Sequence, residues 1–367
     1  MSTVSGLNVS QDAVLEYIRS IYGERVQLQR IWRLGEMSEV SDDLKGFGYG
    51  YPYVIEFINE GKVCRVVLET MRPGESFGHD HFSDRAQVLI WQNSTFSKLP
   101  KHVHSIDAGC FDATGRLVSV GGCKEYFILT EFIEGGLYHL DLDRLKVTGE
   151  LGAVDLNRCV ALSDYLVDIH KIRHNSFGLY VRRIRDLVGH GECIMGLLDS
   201  FPKNFDYVDP SYFVNFEKAC VEWRWKLKTR GHRLCQVHGD FHPWNILFRD
   251  GIDFTVLDRS RGEWGEAADD VAALTINYLF YSLQKYGKLS DIFDKLFDLF
   301  WENYLQKTQD SEVLDVVQPF YAWRSLVVAS PVWYPNLSTD VRVKLLRFAQ
   351  NMLQCDHFDI KNVNSYF

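Results

Sequence analysis

The sequence predicts an α+β chain of two lobes: a small antiparallel-sheet lobe over 1–133, then a larger, mainly helical lobe over 134–367. Three observations predict it. Before residue 133 the dominant pattern is strand-like alternation of apolar and polar residues. After it, apolar residues recur at the three- and four-residue spacing of a helix face. Between the two stands Glu134-Gly135-Gly136, a break with no repeat, low-complexity tract or long linker around it.

Val14, Leu15, Ile18 and Ile21 place one apolar face on a helix over 12–22, and Gly23 ends it. Alternation over 26–34 and 53–58 gives two strands. Asn59-Glu60-Gly61-Lys62 is a hairpin turn into a third strand over 63–68, which Pro73-Gly74 terminates. Ala86, Leu89 and Ile90 mark a helix over 83–92. Further strands are expected over 103–110, 117–120 and 125–132, the last carrying Tyr126, Phe127, Ile128 and Leu129. Helical spacing then runs over 156–172, 210–228, 269–286, 291–304, 312–330 and 339–354.

At 367 residues the chain can bury a large core and build more than one lobe. With 46% hydrophobic and 24% charged residues it reads as soluble and globular, and 14% aromatics suggest a large core or ring-lined pockets. A net charge of −9 argues against nucleic acid as the main partner and suits cationic ligands. None of the 8 cysteines forms a Cys-x-x-Cys pair, so zinc sites and a disulfide framework are not indicated, and the thiols fit a reducing cytosol. Residues 1–12 lack the apolar core of a signal peptide, and no apolar run approaches the roughly 18 residues of a membrane span. A soluble cytoplasmic protein without a membrane partner is expected; the oligomeric state is open.

The chemistry concentrates in Val237-His238-Gly239-Asp240-Phe241-His242-Pro243-Trp244-Asn245, followed by Asp258 at the end of the apolar run 254–257. Phosphoryl transfer needs mainly positioning and charge neutralisation. Asp240 can serve as the catalytic base or orienting carboxylate at an acceptor hydroxyl. Asn245 offers a neutral oxygen and Asp258 an anionic one, hard ligands of the kind Mg2+ takes beside water and phosphate oxygens. Asp and Asn also favour turns, which is the plain alternative. Gly46, Gly48 and Gly50 form a Gly-x-Gly-x-Gly run between two strands, able to cover phosphates with backbone N–H groups, or simply to form a loop. The neighbouring segment 35–44, with Ser38 and Ser41, competes for that role.

His238-Gly239-Asp240, Asn245 and then Asp258 resemble the catalytic segment of the aminoglycoside phosphotransferase and choline kinase-like family, small-molecule kinases of protein-kinase-like fold. Gly265-Glu266-Ala267-Ala268-Asp269-Asp270 is similar to the stretch that follows the metal-binding Asp there; the resemblance makes Asp270 a brace for the loop, as is expected of His238 too. The stretch 162–172, with Asp168-Ile169-His170, resembles the family's first long helix of the second lobe. The stretch 128–135 resembles its hinge, which implies that Glu131, Phe132 and Ile133 bind adenine through backbone groups. The resemblance runs over residues 25 to 280. It implies ATP, with GTP as the alternative, together with Mg2+ and transfer to a hydroxyl of a small-molecule acceptor.

The pattern breaks in the first lobe. Where the family carries a basic residue on its third strand, this chain has Glu69, and Arg85 stands near the expected acid of the next helix. An inverted Glu69–Arg85 pair, with Arg85 or Arg72 taking the phosphates, is one reading; misalignment is the other. Arg259 and Arg261 follow Asp258 and either contact phosphate or lie exposed. His79-Asp80-His81 is a weak metal candidate. The missing strand Lys leaves a nucleotide-binding pseudokinase as the alternative function. Gly239-Asp240-Phe241-His242 also echoes metallophosphatases, but the Gly-Asn-His segment of that class is absent. Tyr321, Trp323, Arg324, Trp333 and Tyr334 are expected to wall the acceptor pocket or to fill the core.

Overall fold

The computed structural model describes residues 2–4, 7–33, 50–73, 78–209 and 211–367, in two compact units divided between Thr130 and Glu131. In the first unit a short hairpin of β1 (Ser2–Val4) and β2 (Leu7–Val9) precedes α1 (Gln11–Tyr22). Ser10 caps α1 by accepting the Ala13 N–H, and Gly23 ends it. The sheet is β3 (Gln27–Arg33), β4 (Gly50–Asn59) and β5 (Lys62–Met71), antiparallel with β4 central. Asn59 faces Lys62 across the expected turn. The α1 face meets this sheet through Val14, Ile18, Val26, Ile55 and Phe57, the five residues of the unit's buried cluster among the described residues. The helix α2 (Phe82–Thr95) is capped by His81, whose ring accepts the Ser83 N–H, while Asp84 accepts the His81 N–H. The unit closes with the hairpin β6 (Gly109–Phe111) and β7 (Leu117–Ser119).

Two expectations fail here. The stretch 125–132 forms no strand, and Phe127, Ile128, Leu129 and Phe132 are exposed. Its apolar, β-prone composition fits a strand only where a sheet edge accepts it, and it joins no ladder among the described residues. The inverted pair is absent too. Arg85 donates to the His79 and Asp80 carbonyls, binding back onto its own helix start. Glu69 lies instead over Gly50, where an added Cβ would come within 2.1 Å of its Oε1.

The second unit opens with β8 (Gly136–Leu137) and the helices α3 (Tyr138–Thr148), α4 (Ala153–His170), α5 (Phe177–Gly189), α6 (Ile194–Asp199) and α7 (Ser211–Leu227). Short strands follow: β9 (Leu234–Gln236), β10 (Ile246–Phe248), β11 (Phe254–Val256) and β12 (Trp264–Glu266). The chain ends in α8 (Ala267–Tyr286), α9 (Asp291–Thr308), α10 (Gln318–Ala329) and α11 (Thr339–Gln354). Of the 20 residues of α8, 16 are buried, the mark of a helix wrapped on all sides by α3, α4, α9, α10 and α11. The single helix expected over 312–330 is a 3-10 turn at Ser311–Asp315 and then α10, because Pro319 fits a first helical turn and not a helix interior. Helices α3, α5 and α6 lie beyond the elements assigned from sequence. Gly135, at φ +151°, lets the chain pass β10: a Cβ there would lie 1.8 Å from Leu247 Cδ2. No described helix is long and apolar enough to cross a membrane, and all 8 cysteines are free.

Candidate active site

All the residues brought together at the site belong to the second unit. β9 pairs with β12, and β10 pairs with both β8 and β11, so the loop 237–245 hangs between two short ladders. Arg158 secures the β10–β11 turn, donating to the Gly251 and Arg249 carbonyls at 2.7 and 2.9 Å while pairing with Asp141. Arg259 fastens the other side, with two bonds to the Val237 carbonyl and one to that of Glu263. Arg259 is exposed and also staples the loop backbone, a role that neither reading of it from the sequence gave.

Asp270, fully buried at the start of α8, accepts the His238 and Gly239 N–H groups, each at 2.7 Å. His170 on α4 contacts the same carboxylate at 3.2 Å and Tyr304 at 2.8 Å. Burial would raise the Asp270 pKa, but these hydrogen bonds and the nearby histidines hold it below its ordinary value. His238 in turn accepts the Asp240 N–H at 3.3 Å, and burial lowers its own pKa, favouring the neutral ring. Gly239 turns between them at φ +85°, a left-handed conformation costly for other residues.

This frame presents Asp240 to a cavity of about 770 Å3, which Asp258, His242, Arg261 and Arg324 also line. The Arg324 guanidinium donates to Asp240 Oδ1 at 2.5 Å, to the Gly239 carbonyl at 3.0 Å and to Asp269 Oδ1 at 2.7 Å, and lies over the Trp323 ring. His242 Nε2 stands 3.5 Å from Asp240 Oδ2. Burial pushes the Asp240 pKa up, but Arg324, His242 and Arg261 outweigh it and hold the carboxyl well below the usual range. Asp269 shares the same cation and fares differently: burial and the neighbouring Asp270 push it up to about 6 against the pull of Arg324. Arg261 also lies over the Trp323 ring, at 4.5 Å from its centroid, and donates to Cys193 Sγ at 3.2 Å.

Asn245 and Asp258 leave the same end of the β10–β11 hairpin. Ile246 faces Val256, and the Leu257 N–H donates to the Asn245 carbonyl at 2.8 Å. The Asn245 side-chain N–H donates to the Asp240 carbonyl at 3.1 Å, which leaves Oδ1 as the atom able to ligate. Asp258 is exposed at φ +55°. Among the described residues no group of three or more His, Cys, Asp or Glu forms a metal cage. Two oxygen ligands fit Mg2+, which keeps several waters and takes phosphate oxygens, better than a metal enclosed by protein.

The remaining site candidates lie elsewhere or outside the described residues. Gly46 and Gly48 fall outside them; Gly50 begins β4 and Arg85 lies on α2, both in the first unit. Glu131, Phe132 and Ile133 are irregular chain at the start of the second unit. Of the expected pocket walls, Arg324, Trp333 and Tyr334 line the cavity, whereas Tyr321 and Trp323 are core, Tyr321 bonding to Thr275 and Trp301. His81 is a helix cap and joins no metal cluster among the described residues. The contact of Arg324 with Asp240 escaped sequence reasoning. One signal was present: a lone charge in the apolar helix Gln318–Ala329 needs a buried partner.

Residues 107–284 match the model of the phosphotransferase enzyme family, a stretch that includes Asp240, Asn245, Asp258 and Asp270 and stops short of Arg324. No curated protein matches the chain. Among solved structures, it is similar to an amicoumacin kinase in complex with AMP-PNP and Ca2+, at 16% identity over 96% of this chain and 97% of that one, with a TM-score of 0.41. It is also similar to the ethanolamine kinase of Plasmodium vivax, at 15% identity over 99% and 89% with a TM-score of 0.35. The choline kinase of Cryptosporidium parvum aligns at 13% identity over 97% and 93%, with a TM-score of 0.32. Residues 107–284, which hold the braced loop with Asp240, Asn245 and Asp258, are thus similar to the phosphotransferase enzyme family.

Proposed function

We propose that this protein transfers a phosphoryl group from ATP, with GTP as the alternative donor, to a hydroxyl of a small molecule. One observation carries the reading: Asp240 meets the cavity as an ionised carboxylate with Oδ1 held by Arg324, while Asn245 and Asp258 emerge together beside it. The acceptor hydroxyl donates to Asp240 Oδ2, which aims its oxygen at the γ-phosphorus. The O–P bond forms as the bond from that phosphorus to the β,γ-bridging oxygen breaks, and the hydroxyl proton passes to Asp240 as ADP leaves. A carboxylate of such low pKa is a weak base, so its main contribution is orientation, with the proton arriving late. Asn245 and Asp258 would hold Mg2+, which supplies neutralisation of phosphate charge when bound.

Gly50, Arg85 and the glycines Gly46 and Gly48 are proposed nucleotide contacts in the first unit, with Glu131, Phe132 and Ile133 as the adenine-binding backbone. A division of labour between residues 1–133 and 134–367, nucleotide and acceptor, goes with this reading, as does a cytoplasmic setting, where ATP is available. The test is ATP consumption in the presence of Mg2+ over sugars, amino alcohols, nucleosides and aminoglycosides. Asp240→Ala is expected to lower turnover by about 10²–10⁴-fold with nucleotide affinity retained. Turnover unchanged in Asp240→Ala ends the proposal; ATP binding with no acceptor consumed by the wild type favours the pseudokinase.

A further inference from the structure

Arg324, Arg259 and Arg261 all stand at the site, and they are used differently. Arg324 is committed to Asp240, the Gly239 carbonyl and Asp269. Arg259 is committed to the Val237 and Glu263 carbonyls. Arg261 is half-buried and lines the cavity together with Asp240 and Asp258. Its one hydrogen bond among the described residues runs from Nη1 to Cys193 Sγ at 3.2 Å. Sulfur is a weak acceptor, and burial pushes the Cys193 thiol up to about 11, so no thiolate balances the cation. Arg261 Nε is buried with no partner. Glu192 lines the same cavity but forms no ion pair with Arg261 among the described residues. A guanidinium carries five N–H donors and is always protonated, so most donors of this one have no protein acceptor.

The place of Arg261 is fixed. A Cβ at Gly239 would lie 3.1 Å from Arg261 Cβ, so the arginine stands directly against the glycine that precedes Asp240. Three residues before it is Asp258, the proposed metal ligand. Its guanidinium lies over Trp323, 4.5 Å from the ring centroid. Behind it Gly262 turns at φ +88°, with the Arg183 guanidinium packed against its backbone. On the phosphotransferase reading, the phosphorus in transit passes between the acceptor oxygen at Asp240 and the phosphates at Asp258. A held guanidinium without a carboxylate partner stands at that passage, and its planar fork matches the oxygens of a phosphoryl group.

We infer that Arg261 is a catalytic residue that binds the phosphoryl group during transfer, donating to its non-bridging oxygens. This rests on the phosphotransferase reading. The acceptor O–P bond forms, the bond to the β,γ-bridging oxygen breaks, and the hydroxyl proton goes to Asp240. Arg261 exchanges no proton in that step; it stabilises the charge spread over the equatorial oxygens.

The test is calorimetric titration of the full chain with ADP and Mg2+, with and without fluoroaluminate, which takes the place of the phosphoryl group in transit. Fluoroaluminate is expected to tighten ADP binding to the wild type by at least about tenfold. Arg261→Met, whose side chain can still lie over Trp323, is expected to bind ADP alone as the wild type does and to lose about tenfold or more of that tightening. Arg261→Lys keeps the charge without the fork and is expected to fall between the two. Undiminished tightening in a folded Arg261→Met overturns the inference; that is the result if Arg261 instead reads an anionic group on the acceptor. Equal loss of ADP affinity with and without fluoroaluminate marks a structural role and overturns it as well. A wild type that binds ADP with no tightening overturns the inference and leaves the phosphotransferase reading in place. A wild type that binds no ADP ends that reading, and the inference with it. If Arg261→Met does not fold, Arg261→Gln decides by the same comparison.

Discussion

Arg324 is one cation between two carboxylates. It is 5% exposed, and it serves Asp240 and Asp269 at once. Two acids cannot both keep the benefit of a single guanidinium, so Asp240 stays ionised while Asp269 rises to about 6. Replacing Arg324 with Met should therefore raise the Asp240 pKa, reduce kcat by about 10²-fold or more, and move the acidic limb of the pH–rate profile upward. Arg324→Lys restores part of the rate, since a point charge replaces the fork but not its geometry. Asp269 gives a separate prediction. As pH falls through about 6 it takes a proton, Arg324 commits wholly to Asp240, and turnover declines. In Asp269→Asn this step near pH 6 should vanish from the kcat profile. The sign for stability is opposite: a carboxyl whose folded pKa is raised favours the fold below its unfolded value near 4, and that contribution is lost as pH rises through 6.

At the scale of elements, the loop 237–245 depends on the start of α8. Glu266 precedes that helix, accepts the Ala268 N–H, and forms a buried pair with Arg233, Nη2 to Oε1 at 2.8 Å. Tyr180 donates to the same carboxylate at 2.8 Å, and Asp310 takes the other arm of Arg233 at 2.9 Å. This network joins the turn before β9, the end of β12 at the start of α8, the helix α5 and the 310–312 turn. Burial lowers the Arg233 pKa, and its acidic partners more than reverse that. Arg233→Met leaves buried carboxylates unpaired and should cost about 3–5 kcal/mol of stability, measured by urea unfolding. A loss below about 1 kcal/mol would show that the network is not needed to hold the loop. The sequence exposed Asp240, Asn245, Asp258 and Asp270 because they lie close together along one loop and its helix. It named Arg324 as a pocket wall but not its pair with Asp240, and it did not expose Arg233; the partners of Arg233 and Arg324 stand 33 and 84 residues away.

For the whole molecule, the two units differ in how much they bury. Among the described residues, the first has five in its buried cluster, whereas the second has a large core through α4, α8, α9, α10 and α11 beside one small separate cluster. Cooperative stability follows buried apolar area, so the first unit should open at lower free energy. Hydrogen exchange tests this: amides of β3, β4 and β5 are expected to exchange before those of α8. Equal protection in both would mean a single cooperative block.

The sequence by itself determined the α+β class, the order of a sheet-bearing unit before a helical one, and the helices with clear apolar periodicity, such as α1 and α11. Those depend on local spacing, which a chain carries with it. It also determined the loop from His238 to Asn245 with Asp258, whose spacing is set by one hairpin. Tertiary structure decided the rest. It left 125–132 without a sheet partner despite its strand-like composition, tied Arg85 to its own helix start, and drew Arg324 from α10 onto Asp240. Strand pairing, ion pairing and burial depend on which distant groups meet, and no local pattern of residues records that.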